Sequence, residues 1–133
     1  MGILDEFLIK FEEIAINSNK CKDELVNTQY MNAWRTAYVL WQVAYAARDL
    51  IVMFSYLIDY NISVTNSLEK SGTNIQNIDK ILFYARKHLI NTLRWYQEIK
   101  YDGCDNITKI ESEVDKFIKL IDSFISYIQN YEI

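Results

Sequence analysis

Between residues 30 and 58 the chain carries more apolar surface than one helical seam can use. One seam, Ala33, Ala37, Leu40, Ala44, Ala47, Ile51, Phe54 and Ile58, advances in steps of four and three. On the adjoining flank a second row, Tyr30, Trp34, Tyr38, Trp41, Tyr45 and Val52, consists mostly of large rings. A helix that is apolar nearly all round has to be covered by several neighbours, from its own chain or from another. The pattern predicts a helix that begins between Lys22 and Thr28, with Asp23 or Asn27 as cap, and runs to about Tyr60. Its length is roughly 45–50 Å at 1.5 Å per residue.

Three further helices follow from the same reading. Leu4, Phe7, Phe11 and Ile14 form one stripe, with Asp5, Glu6, Glu12 and Glu13 mostly opposite, so a short amphipathic helix is expected over Ile3–Ile16. Its acidic start suits the helix dipole. Asn17-Ser18-Asn19-Lys20 is then the expected turn, because Asn and Ser compete with helical hydrogen bonding. Residues 61–73 loosen into Asn, Ser and Thr and predict a connection, with one short helical turn near 64–70. A heptad over Ile75, Ile78, Leu82, Ala85, Leu89, Thr92, Tyr96 and Ile99 predicts a third helix from about Asn74 to Tyr101, ended by Asp102-Gly103. Another over Ile107, Ile110, Val114, Phe117, Ile121, Phe124, Ile128 and Tyr131 predicts a fourth, capped by Asp105 or Asn106. Two successive heptad helices favour bundle packing. The expected fold is all-α: one domain over residues 1–133, an antiparallel bundle of four main helices with a long central second helix.

Composition strengthens this picture. Proline is absent and only Gly72 and Gly103 are internal glycines, which biases the chain to helix. The net charge of −4 argues against bulk affinity for nucleic acid or anionic lipid. The acidic, amphipathic N-terminus does not read as a signal peptide. The one apolar stretch of membrane-spanning length, Ala37–Ile58, holds Arg48 and Asp49 near its middle, and two charges at bilayer depth cost several kcal/mol. A soluble, cytoplasmic protein with no membrane partner is expected. The abundance of Ile, Asn, Lys and Tyr points to an AT-rich coding sequence, which suits a virus or mobile element as well as low-GC bacteria and some archaea.

Little in the chain has the spacing of catalytic chemistry. Cys21 and Cys104 are far from any CxxC spacing and His88 is the single histidine, so neither a zinc site nor a diiron centre can be assembled. Turns near both cysteines would lie at one end of an up-down-up-down bundle, which makes a Cys21–Cys104 disulfide geometrically open. Two reduced thiols are the plainer expectation in a cytosol. Helical ribonuclease-toxin bundles place Arg four to six residues before their His, whereas Leu82, Phe83 and Tyr84 stand there here. A phosphotransfer histidine is usually followed by Lys-Gly, and His88 is followed by Leu89-Ile90. No glycine-rich phosphate loop can be built. The sequence therefore predicts no enzyme, no cofactor, no metal and no small-molecule substrate.

Two surfaces remain. The ring row Trp34, Tyr38, Trp41 and Tyr45, with Arg48 at its end, has the composition of an interface hot spot, and the expected partner is protein, with a homodimer first. This makes a small interaction or regulatory protein the leading functional expectation. The alternative is an accessory subunit of a nucleoprotein complex. Lys80, Arg86, Lys87, Arg94 and Lys100 outnumber Glu98 on the third helix, and Trp95 and Tyr84 could stack on single-stranded bases.

Overall fold

A computed structural model describes residues 2–72, 76–97 and 108–130, and within them the chain is four helices: α1 Ile3–Leu25, α2 Met31–Ser71, α3 Gln76–Tyr96 and α4 Thr108–Gln129. They form the expected antiparallel bundle. Each helix packs on the next, α4 returns to α1, and α1 and α2 make the most extensive pair. All eight residues of the alanine-rich seam on α2 are buried, as are Ile110, Val114, Phe117, Ile121, Phe124 and Ile128 on α4. Rings tie α1 to α4: Phe7 meets Phe124 edge-on at 5.1 Å between centroids, and Phe11 meets Phe117 at 6.0 Å. Such pairs add directional contact to apolar burial.

The helix boundaries depart from expectation in two places. First, α1 does not stop at Ile16 and residues 17–20 are not a turn. Phe7, Phe11, Ile14, Ser18, Cys21 and Leu25 continue one buried seam in steps of four and three, with Ser18 and Cys21 as its small members. Tertiary burial along that seam outweighs the weak helix propensity of Asn and Ser. The turn lies at residues 26–30 instead, so α2 starts at Met31 rather than between Lys22 and Thr28. Asn27 takes the left-handed conformation there (φ 63°), which Asn tolerates better than most residues. The Thr28 hydroxyl donates to the Leu25 carbonyl at 2.6 Å and accepts from the Tyr30 amide at 3.2 Å, satisfying groups freed by the turn.

Second, α2 does not give way to a connection after Tyr60. The helical turn expected near 64–70 is present as the final part of α2, which continues to Ser71 and stops at Gly72, where φ is +76°. A polar run without Gly or Pro lowers propensity but does not break a helix, whereas a left-handed Gly does. The C-terminal boundary expected for the third helix near Tyr101 and the cap expected at Asp105 or Asn106 lie outside the described residues. On α3 the buried face is wider than the heptad: Leu82 and Leu89 are joined by Ile90 and Leu93, because α3 touches both α2 and α4. Gln97 donates to Asp122 at 2.6 Å across the α3–α4 contact.

Candidate functional site

The ring row runs along the edge of α2 beside α1, where the 3.6-residue period stacks positions 34, 38, 41 and 45 in one column. Centroids are 5.6 Å apart for Trp34–Tyr38, 5.7 Å for Tyr38–Trp41 and 6.4 Å for Trp41–Tyr45. The rings are not coplanar: successive interplanar angles are 40°, 82° and 75°. An edge-to-face column is not a flat platform on which bases or sugar rings could stack in series. Trp34, Trp41 and Tyr45 are half-buried against the core, and Tyr38 is the most exposed of the four at 41%.

Two cations lie on this column. Lys22, in the last turn of α1, holds its ammonium 4.2 Å from the Trp41 centroid and 5.6 Å from that of Tyr38. Its side chain is only 18% exposed, and its other partner is Asp23 at 3.5 Å. Arg48 sits 5.1 Å from the Tyr45 centroid. Asp49 accepts from Arg48 Nε at 3.2 Å and from Nη2 at 2.9 Å, and Glu12 of α1 lies 3.8 Å from Nη1. The Asp49 hydrogen bond raises the Arg48 guanidinium further above its already high ordinary value. The five residues Trp34, Tyr38, Trp41, Tyr45 and Arg48 are therefore one contiguous strip. Part of it is roofed by α1 through Lys22, a residue the sequence reading did not connect to it.

The basic residues of α3 are arranged less coherently. Lys80, Lys87 and Arg94 are exposed, lie on one side of the helix and form no ion pair among the described residues. Arg86 is half-buried, 5.5 Å from the Phe83 ring, beside a shallow hollow of about 220 Å³ that includes Ile90 and Gln129. Trp95 is 76% exposed. As the neighbour of Arg94 it projects about 100° around the helix from it, so ring and cation face different directions.

The remaining candidates for chemistry are dispersed. Cys21 is buried in α1, and burial pushes its thiol above the ordinary 9.0. Cys104, and with it the disulfide considered from sequence, falls outside the described residues. His88 is exposed on α3, at an apolar groove of about 280 Å³ between α2 and α3 lined by Leu50, Met53, Leu57 and Ala85. Among the described residues no group of three His, Cys, Asp or Glu side chains could hold a metal ion. Glu113, buried against α1, accepts from Asn17 at 3.4 Å and Lys116 at 3.2 Å.

A second apolar surface was not singled out by sequence. On the outer side of α2, Met53, Tyr56 and Tyr60 are 66%, 70% and 63% exposed, and Met31 is also exposed. The stretch Met31–Val64 is long and apolar enough to cross a membrane by length and composition, and its most apolar window is only 33% buried in the bundle. No protein-family model, curated protein or solved structure matches the chain.

Proposed function

We propose that this chain is a non-enzymatic protein-interaction protein that acts through the exposed surface of α2. The observation that carries this reading is the mismatch on that helix. Its bundle seam is fully buried, yet Tyr38, Met53, Tyr56 and Tyr60 still face solvent beside the half-covered ring column. Exposed apolar clusters of this kind, edged by charges such as Arg48 and Asp49, mark binding surfaces. Regulation by occupancy of that surface fits a chain with no catalytic constellation assembled among the described residues, and a cytoplasmic role in a virus or mobile element fits its composition.

The experiment is site-specific photocrosslinking in cells, with benzoylphenylalanine at position 56 on α2 and, as control, at exposed position 112 on α4. A discrete protein adduct is expected from position 56 and none from position 112. Equal labelling from the two sites, or none from 56, would remove the reading.

A second reading attaches to α3, on the observation that Lys80, Lys87 and Arg94 are exposed on one side without ion pairs among the described residues. It makes the chain an accessory subunit that contacts nucleic-acid phosphates, with Trp95 and Arg86 at the margin. Binding to single-stranded RNA should then weaken steeply with salt and vanish when Lys87 and Arg94 are both changed to Glu.

A further inference from the structure

The outer side of α2 is patterned as a helix-pairing seam. Met31, Arg35, Tyr38, Gln42, Tyr45 and Asp49 follow one another in steps of four and three, and the line continues through Met53, Tyr56 and Tyr60. Apart from half-buried Tyr45, every one of these residues is exposed. The inner seam of the same helix, from Ala33 to Ile58, is fully occupied by the bundle, so the outer line is a second seam on the opposite flank. A helix with two such seams serves two sets of neighbours.

Two pairs on the outer seam are placed symmetrically about Gln42, one alike in kind and one opposite in charge. Arg35 lies seven residues before it and Asp49 seven after; Met31 lies eleven before and Met53 eleven after. We infer that α2 pairs antiparallel with α2 of a second copy of this chain, with the two-fold axis passing at Gln42. This inference rests on the interaction reading above and names its partner. In that arrangement Arg35 of each copy meets Asp49 of the other, about 10 Å to either side of the axis. Met31 meets Met53 at the outer ends, and Tyr38 packs into the step formed by Tyr45 and Ala46 of the second copy.

The charges select this occupant and this direction. Arg35 has no ion pair among the described residues, and Asp49 is tied only to its own neighbour Arg48. A parallel pair in register would set Arg35 on Arg35 and Asp49 on Asp49, with like charges opposed twice. The antiparallel pair converts both clashes into attractions, and an isologous two-fold contact repeats each of them. Gln42 at the axis is uncharged and can hydrogen-bond to its own symmetry mate.

The test is a charge exchange read by sedimentation equilibrium and light scattering on the full chain. Wild type is expected to be a dimer. Arg35→Asp or Asp49→Arg alone should weaken dimerisation by about tenfold or more, since each sets like charges together at two places. The double variant Arg35→Asp/Asp49→Arg should restore it, because the exchanged pair is again complementary. Both positions are exposed, so far-UV circular dichroism should be unchanged throughout. If Tyr38→Glu disperses the dimer but the double exchange does not restore it, the antiparallel register is overturned while the interaction reading stands. A monomeric wild type whose position 56 still crosslinks to another protein overturns the second copy as partner, again leaving that reading intact. A monomer that instead co-sediments with phosphatidylcholine vesicles overturns the inference in favour of a lipid surface.

Discussion

The Lys22–Trp41 contact gives the sharpest energetic prediction. The ammonium is 4.2 Å from the ring centroid and the lysine side chain is 18% exposed, so this cation–π pair is largely desolvated. Exposed pairs are worth about 0.5–1 kcal/mol and desolvated ones about 2, which places this coupling at about 1–2 kcal/mol. The second partner of Lys22, Asp23, is mostly in solvent and contributes below about 1 kcal/mol. Lys22→Met keeps the aliphatic stem on the ring and removes the charge. Trp41→Leu removes the ring and is costly by itself, because Trp41 packs on the core. A double-mutant cycle cancels that cost and leaves the pair term. Urea unfolding of the four proteins, at one fixed protein concentration so that any association contributes equally, gives the coupling. A value below about 0.3 kcal/mol, which is within the scatter of independent sites, would refute the assignment of Lys22 to the ring face.

Three other outcomes are expected. Ser18 is fully buried on the α1 seam and its hydroxyl has no partner among the described residues, so Ser18→Ala should raise stability by about 0.5–1.5 kcal/mol in urea unfolding, and a loss would contradict the packing described. Asn27 holds a positive φ in the α1–α2 turn, so Asn27→Gly should be neutral or stabilising and Asn27→Ala should cost about 1 kcal/mol; equal midpoints for the two would refute the strain argument. Burial raises the Cys21 thiol above its unfolded value, so its contribution is fully present below the unfolded pKa and is lost as pH rises through the folded one. Thermal denaturation between about pH 7 and 10 should therefore show a steeper alkaline loss for wild type than for Cys21→Ala, and parallel curves would count against it.

The sequence was most legible where one side of a helix faces one set of neighbours. The α2 seam from Ala33 to Ile58 and the α4 heptad were readable because their apolar residues have no competing explanation. The end of α1 was misread because Ser18 and Cys21 are polar or small by type yet occupy seam positions that only the opposing helices reveal. That one misreading also hid part of the site. With α1 ended at Ile16, Lys22 belongs to a connection or the start of α2; with α1 extended to Leu25, it stands opposite Trp41. The column of rings itself was legible, since four aromatics at helical spacing can only stack along one edge. Ile90 and Leu93 were missed because a strict heptad assumes one partner, and α3 has two.

The length of α2 and the sides from which its neighbours approach explain why its outer surface stays uncovered. It has 41 residues, against 23 for α1 and 21 for α3, so each neighbour can shield only part of it. The contacts Lys22–Trp41 and Arg48–Glu12, with the pocket that joins Ile3 and Leu4 to Ile58 and Ile62, set α1 along α2 from Trp41 to Ile62. The groove that joins Leu50, Met53 and Leu57 to Ala85 and His88 sets α3 along the C-terminal half. The two neighbours lie on different flanks and touch the outer line only at its edges, where Lys22 lies over Tyr38 and Met53 lines the α3 groove, while Met31, Tyr56 and Tyr60 stay exposed. The core seam from Ala33 to Ile58 is complete without any residue of the outer line. Bundle stability alone therefore gives no reason for the exposed rings of Tyr38, Tyr56 and Tyr60. A partner docked on that side does, and in the proposed antiparallel pair a second α2 would cover the line from Met31 to Met53.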